Sequence, residues 1–132
     1  MKVLIFGGRD FNDQNHMANV LNAFYDLNGP ITCVVHGAAK GADLLGQHFA
    51  RNWLGVPDEP YPAAWSDLTA PGAVIKQGRY GPYNVIAGHQ RNQRMIDEAK
   101  PEWAIMFPGG AGTADMKARL DKAGIPVWDA SA

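Results

Sequence analysis

The chain has 132 residues and a mass of 14.3 kDa, a size that suits one domain and leaves no room for two. Apolar residues make up 46% and charged residues 19%, which is a globular rather than a disordered composition. The net charge of -1 argues against a nucleic-acid-binding surface built on bulk positive charge, and no apolar run approaches the ~20 residues of a transmembrane helix. Glycine is enriched, with 15 of 132 residues, or about 11% against a usual ~7%.

The cysteine count and the N-terminal sequence bear on the cellular compartment. Cys33 has no partner for an internal disulfide, and because it lies inside a predicted strand we expect a core thiol there. The apolar run that ends at Phe6 is too short for the apolar segment of a secretory signal. We therefore expect a cytoplasmic protein.

The first half of the chain alternates strands with helices. Runs rich in β-formers predict strands at Lys2–Phe6, Ile31–Val35 and near Glu59–Tyr61. Apolar residues at helical spacing predict two helices between them. The first is capped by Asn12 or Asp13 and runs to about Asp26, and the second ends at about Leu54.

The pattern lapses and then resumes in the second half. Residues 62–84 contain Pro, Gly and Ser without a clear period, and a loop of that length inside a compact domain is usually functional or mobile. Helical spacing returns over Val85–Ala99, and a further helix that carries Met116 ends at Gly124. The remaining strands are predicted at Glu102–Phe107 and Ile125–Trp128.

Apolar strands that alternate with amphipathic helices predict a parallel sheet covered on both faces. We predict a single three-layer α/β domain over residues 1–132, with a Rossmann-like, doubly wound sheet of about five strands. The predicted strand order is 3-2-1-4-5, and residues 62–84 form a lid-like insertion.

The glycine excess is concentrated in three clusters, each of which follows a predicted strand. In an open α/β sheet the carboxyl ends of the strands share one edge, and ligands bind there where the strand order reverses. Glycine permits close approach of the backbone to a ligand, and the helix N-termini that follow supply free N–H groups. The clusters therefore predict a phosphate-sized anion site, although each could also be only a tight turn. They are Gly7-Gly8, Gly37 with Gly41, and Gly109, Gly110 and Gly112.

The common nucleotide-binding motifs do not match these clusters. The segment from Gly110 to Asp115 has the first two glycines of G-x-G-x-x-G, but Asp115 replaces the third and the segment follows the fourth strand. Lys40 precedes Gly41, which is the reverse of the order in a P-loop. A dinucleotide dehydrogenase and a P-loop NTPase are therefore disfavoured.

Four segments together resemble the SLOG superfamily, and within it the small YspA-like, cpYpsA-related branch of phages and bacteria. They run from Gly7 to Phe11, from His36 to Asp43, from Ala87 to Asn92 and from Phe107 to Thr113. The resemblance implies a Rossmann-like fold, a nucleotide-derived ligand at the glycine edge and a homodimer or higher homo-oligomer. It also implies a bacterial cytoplasm, or the host cytoplasm for a phage-encoded protein.

The chain is also similar to the more distant LOG, or lysine decarboxylase-like, branch. Those enzymes cleave the N-glycosidic bond of nucleoside monophosphates. Their P-G-G-x-G-T-x-x-E motif matches from Pro108 to Thr113, but Met116 stands in place of its glutamate. Asn92 stands where those enzymes have a lysine after the arginine. Asp115 is a poor substitute for the glutamate because it lies about 100° around the helix. The resemblance therefore favours phosphate binding over hydrolysis.

Several polar residues have both a functional and a structural interpretation. Arg9 contacts phosphate or pairs with a nearby aspartate, and Lys40 contacts the ligand or is solvated. Asp43 binds a ribose hydroxyl or stabilises the start of its helix. Asn92 orients Arg91 or binds the ligand itself, and His36 contacts a ligand, bonds a loop or is simply packed. The predicted ligand-binding residues are Gly7, Gly8, Arg9, His36, Gly37, Lys40, Gly41, Asp43, Arg91, Asn92, Gly109, Gly110, Gly112 and Thr113.

The aromatic residues of the irregular segment form a further group. Trp65, Tyr80 and Tyr83 are expected either to stack on a base as part of a lid or to anchor the loop or a partner copy. The four histidines show no metal-ligand spacing, so we predict no metal site, and no cofactor is expected.

Three functions compete at this stage. The first is binding of a nucleotide or nucleotide-derived ligand, such as a nucleoside phosphate or an ADP-ribose-like molecule. The second is hydrolysis of an N-glycosidic bond or a related transfer, for which Arg91, Asp43 and Asp115 are the candidate catalytic residues. The third is single-stranded DNA binding, as in the DprA branch of the superfamily, which the acidic pI disfavours.

Overall fold

The central sheet has five parallel strands, and its order confirms the prediction. The computed structural model describes all residues of the chain except Tyr80. The sheet order is β3-β2-β1-β6-β7, which is the predicted order 3-2-1-4-5 when the strands of this sheet alone are counted. The strands are β1 (Lys2–Phe6), β2 (Cys33–His36), β3 (Asp58–Pro60), β4 (Ile75–Gly78), β5 (Gly81–Asn84), β6 (Trp103–Met106) and β7 (Val127–Asp129).

The described residues form four helices, each of which lies between two strands along the chain. Asp13 caps the first helix by accepting a hydrogen bond from the backbone N–H of His16 at 3.0 Å. Gly124 ends the last helix in the left-handed conformation (φ 74°). The helices are α1 (Gln14–Asn28), α2 (Ala42–Phe49), which continues as a π-helical turn over Ala50–Leu54, α3 (Ala87–Arg94), which continues likewise over Met95–Ala99, and α4 (Ala111–Ala123).

The sheet is buried on both faces by two apolar clusters, as the doubly wound prediction requires. Side chains alternate along β1, so Ile5 packs with Leu21 and Phe24 of α1 on one face. Leu4 packs on the other face, in a cluster that includes Leu120 of α4. Because β1 is central and paired on both edges, its carboxyl end lies at the middle of the carboxyl edge of the sheet. Among the described residues, no helix is long and apolar enough to cross a membrane.

A buried polar pair fixes the end of β2. The Nδ1 atom of His36 accepts a hydrogen bond from the backbone N–H of Ala38 at 3.0 Å, so the ring proton lies on Nε2 and is donated to Asp58 at 2.8 Å. Asp58 also accepts from Gln47 and Arg51. Burial opposes ionisation of Asp58, but these donors outweigh it and hold its pKa well below the usual range. His36 is completely buried and supports the loop that follows it.

The prediction that residues 62–84 are irregular throughout is wrong, because these residues contain an antiparallel hairpin. Strand β4 pairs with β5, and Lys76 lies opposite Tyr83. All four residues of β4 are exposed, so neither face of the strand needs an apolar stripe. The sequence consequently lacks the alternation by which half-buried strands are recognised. Tyr80 lies outside the described residues.

Candidate functional site

A cavity of about 350 Å³ opens at the carboxyl edge of the sheet, where the strand order reverses between β1 and β6. It brings together residues from the loops after both strands and from α2, α3 and α4. The predicted residues that line it are Gly7, Gly8, Arg9, Asp43, Arg91, Asn92, Gly110, Gly112 and Thr113. Its other walls are Phe6, Ala39, Trp65, Val85, Gly88, His89, Met95 and Met116.

The backbone of Gly8 joins the three glycine turns. Its N–H donates to the carbonyl of Pro108 at 2.7 Å, and its carbonyl accepts from the N–H of Ala42 at 3.2 Å. A Cβ at Gly8 would lie 2.9 Å from the Cα of Gly109, which is closer than real Cβ atoms approach. Gly41 has a positive φ of 82°, and a Cβ there would collide with the carbonyl of Gly8. The glycines are therefore required by contacts between the turns.

Arg91 is held in place by backbone carbonyls rather than by an ion pair. Its Nη1 donates to Gly37 at 2.5 Å and to Tyr61 at 3.2 Å, and its Nε donates to the side chain of Asn92 at 3.1 Å. Among the residues that the structure describes, none accepts a hydrogen bond from Nη2. Burial lowers the pKa of Arg91, but a guanidinium stays charged. The side chain thus presents a fixed cation with unused donors at the cavity.

Asp43 is a buried carboxyl group beside this cation. It is 6% exposed, and its Oδ2 accepts a hydrogen bond from the N–H of Gly37 at 3.2 Å. Burial raises the pKa of Asp43 to about 6, against the opposing effect of the positive charge of Arg91. A side chain at Gly37 would run into both groups. Asp43 therefore lines the cavity and can change its charge near neutral pH.

Asn92 connects Arg91 to α4. Its Nδ2 donates to the carbonyl of Gly112 at 3.3 Å and to Oδ2 of Asp115 at 3.1 Å. Asp115 also accepts from Arg119 at 2.8 Å. Burial opposes ionisation of Asp115, but these two donors lower its pKa below the usual value. The contacts agree with the interpretation that Asn92 orients Arg91.

Five predicted ligand-binding residues and one candidate catalytic residue lie outside the lining of this cavity. His36 and Gly37 are buried beneath it, where His36 bonds Asp58 and the carbonyl of Gly37 holds Arg91. Asp115 is bound to its neighbours on α3 and α4, whereas Met116 lines the wall with its side chain fully buried. The other three are Lys40, which is exposed, Gly41, which packs on Gly8, and Gly109, which faces a separate open hollow.

Six wall residues were missed by reasoning from the sequence, and three of them show which signals were available; the six are Phe6, Ala39, Val85, Gly88, His89 and Met95. Gly88 and His89 lie within the segment from Ala87 to Asn92 that carries the resemblance. Their closeness to Arg91 in the sequence could have identified them. Nothing in the sequence marks Val85 as a site residue, because it lies at the cavity only as the residue that follows β5 of the hairpin. Of the aromatic residues considered, Trp65 lines the cavity, whereas Tyr83 packs against Gly78 inside the hairpin.

The close contact at Gly8 predicts a sharp difference between two glycine substitutions. Gly8→Ala should lower the free energy of unfolding by about 1–3 kcal/mol, because its Cβ meets backbone that cannot swing aside. Gly112→Ala should be neutral or stabilising by about 0.5–1 kcal/mol, because it lies in α4 and a Cβ there meets nothing within 4 Å. Urea denaturation measures both, and equal effects would contradict the proposed contact.

The raised pKa of Asp43 predicts a pH-dependent stability. In the unfolded chain Asp43 loses its proton near pH 4, but in the fold it does so at about pH 6, so its contribution is present below pH 4 and lost as the pH rises through 6. The free energy of unfolding of Asp43→Asn, relative to that of the wild type, should therefore rise by about 2–3 kcal/mol between pH 4 and pH 7. Urea denaturation across this range tests the prediction, and a constant difference between the two proteins would refute it.

Comparisons with known proteins agree with this architecture. The family model of YAcAr, the YspA, cpYpsA-related SLOG family, matches residues 1–67, which include β1 to β3 and Trp65. No curated protein gives a significant match. The crystal structure of MurG from Acinetobacter baumannii is similar with a TM-score of 0.55 and 10% identity, over 97% of this chain and 34% of the MurG chain. That likeness shows the Rossmann-like fold alone, and the chain spans about a third of MurG. Because the family match covers just over half of the sequence, the protein belongs to the YspA, cpYpsA-related SLOG family.

Proposed function

We propose that the protein binds a nucleotide or a nucleotide-derived ligand in the cavity at the glycine-rich edge. The observation that carries the proposal is the convergence of two arginines, Arg9 and Arg91, with glycine turns from β1 and β6 on one cavity. Its volume of about 350 Å³ lies within the range of small-molecule sites. The family and the Rossmann-like fold support a ligand of this class.

The anionic part of such a ligand fits best at the start of α4. None of the described side chains caps this helix, so the N–H groups of its first turn can meet an anion beside Gly110 and Thr113. The unused Nη2 donors of Arg91 and the exposed guanidinium of Arg9 supply positive charge on the same cavity. An anion there gains charge-assisted hydrogen bonds, which are about twice as strong as neutral ones.

Asp43 gives the cavity a group for the sugar. As a carboxylate it accepts hydrogen bonds from hydroxyl groups, and as a neutral acid it donates one. With a pKa of about 6, both forms are populated near neutral pH. We propose ribose hydroxyls as its partners in the bound ligand. The predicted homo-oligomer and the cytoplasmic location stay predictions.

Removing the guanidinium of Arg91 should weaken anion binding. We expect AMP to raise the melting temperature of the wild type, and Arg91→Ala to weaken AMP binding about 10- to 100-fold, as loss of a hydrogen bond to a charged group does. Arg91→Lys, which keeps the charge but loses the planar donors, should bind AMP with an affinity between those of the wild type and Arg91→Ala. Calorimetric titration measures the affinities.

The matched control for this experiment is Arg94→Ala on the same helix stretch. Arg94 is exposed, pairs with Glu98 at 3.0 Å and does not line the cavity, so its removal should leave AMP binding unchanged. Equal weakening by both substitutions would indicate a general charge effect. Absence of binding by AMP, ADP-ribose and inorganic phosphate to the folded wild type would overturn the proposed function.

A second candidate, hydrolysis of an N-glycosidic bond, is favoured by one observation. Asp43 is a cavity-lining carboxyl group whose pKa of about 6 suits a general acid, which could protonate a departing base. The site lacks the glutamate of the LOG branch, whose position is taken by the buried Met116. Asp43 is therefore the residue on which this candidate depends.

Base release from AMP, followed by chromatography, tests the hydrolase directly. If Asp43 acts as the acid, Asp43→Asn should lower the rate about 100-fold or more while AMP still binds. Arg91→Ala should lower the rate as well, because it weakens the hold on the phosphate. No release by the wild type, or full activity in Asp43→Asn, would remove this candidate and leave ligand binding in place.

A further inference from the structure

An indole ring stands exposed at the rim of the cavity. Trp65 lines the cavity together with Arg9 and Gly88, and 39% of its surface is accessible. The other walls supply charges, backbone donors, small residues and the apolar side chains of Val85, Met95 and Met116. Trp65 presents the broadest aromatic face among the described walls, because Phe6 is almost fully buried and the imidazole of His89 is a smaller ring.

The backbone of Trp65 is tied to α3 through Asn84. The carbonyl of Trp65 accepts a hydrogen bond from the N–H of Asn84 at 2.7 Å. The side chain of Asn84 is completely buried, accepts from the N–H groups of Val74 and Ile86 and donates to Gln90 at 2.7 Å. Trp65 therefore belongs to a segment that is tied to the helix carrying Arg91.

A helical glycine makes room for the indole. A Cβ at Gly88 would lie 3.3 Å from Cη2 of Trp65, so the ring packs closely on the backbone of α3 and an alanine there would require it to shift by a few tenths of an ångström. The guanidinium of Arg9 lies 5.8 Å from the centre of the ring, in the geometry of a cation–π contact. Arg9 thus stands next to both the aromatic surface and the glycine turns, where the anion is proposed to bind.

We propose that Trp65 determines which ligands the site accepts, by stacking on a planar aromatic group such as a nucleobase. This inference rests on the proposed function, because the anion at α4 and Arg91 holds the other end of the ligand. Stacking on an indole face tolerates any base, since every base has a π-face. Arg9 lines the same cavity beside the ring, so its charge lies close to both the stacking surface and the proposed phosphate position.

Comparing AMP with ribose 5-phosphate isolates the contribution of the base. Both carry the sugar and the phosphate, and only AMP carries a ring. The wild type should bind AMP about 5- to 100-fold more tightly than ribose 5-phosphate, the range expected for one base stacked on an aromatic side chain. Trp65→Ala should remove this difference and leave the affinity for ribose 5-phosphate unchanged, whereas Trp65→Phe should keep most of it.

A matched control variant and a check of folding make this experiment decisive. Trp53→Ala is the matched control, because Trp53 is 47% exposed, packs on Phe49 and does not line the cavity. It should leave both affinities unchanged. Unchanged binding of ribose 5-phosphate also shows that Trp65→Ala is folded, independently of its melting temperature.

Each contrary outcome has a separate meaning. Equal affinity of the wild type for AMP and ribose 5-phosphate would overturn stacking on Trp65 and leave anion binding intact. Equal weakening of both ligands by Trp65→Ala would show that the ring only supports the loop, which also overturns the inference. If neither ligand binds the wild type, the proposed function fails and this inference fails with it.

Discussion

The peptide groups on either side of Gly8 are the constraint on which the candidate site depends. Through its N–H and its carbonyl, this residue bonds the loop after β6 and the first residue of α2. Such contacts bring three separate stretches of chain within van der Waals distance, which only residues without a side chain allow. The cavity lies above this junction, so backbone contacts fix the position of the glycine turns that form part of its lining.

That rigidity explains how two opposite charges can stand beside the cavity without neutralising each other through a direct ion pair. Arg91 directs its Nη1 donors at the carbonyls of Gly37 and Tyr61, and Asp43 accepts from backbone N–H groups. Each charged group is therefore solvated by peptide dipoles, which lowers the cost of removing it from water. The remaining donors of Arg91 and the ionisable proton of Asp43 are left for a ligand.

The hairpin segment, residues 62–84, contributes to the site through Trp65, whose backbone is bonded to Asn84. Strand β4 is exposed along its whole length, whereas β5 is partly buried, and the described residues of both strands pair only with each other rather than with the main sheet. Asn84 binds the segment internally and reaches Gln90 on α3, while Trp65 is tied to Asn84 through the backbone. A small set of hydrogen bonds thereby positions an aromatic ring that lies far from Arg91 in sequence but on the same cavity.

The alternation of apolar strands with amphipathic helices determined the parallel sheet, because a strand buried on both faces must be apolar throughout, and the doubly wound order predicted with it is the observed one. The spacing of the glycine clusters placed the site at the edge where β1 and β6 end. Tertiary structure decided which polar residues reach that site. His36, Asp43 and Asp115 were all candidate site residues, yet His36 bonds Asp58 and Asp115 bonds Arg119 outside the lining, whereas Asp43 lines the cavity. The position of Trp65 and the hairpin were likewise decided by long-range hydrogen bonds, which leave no periodic pattern in the sequence.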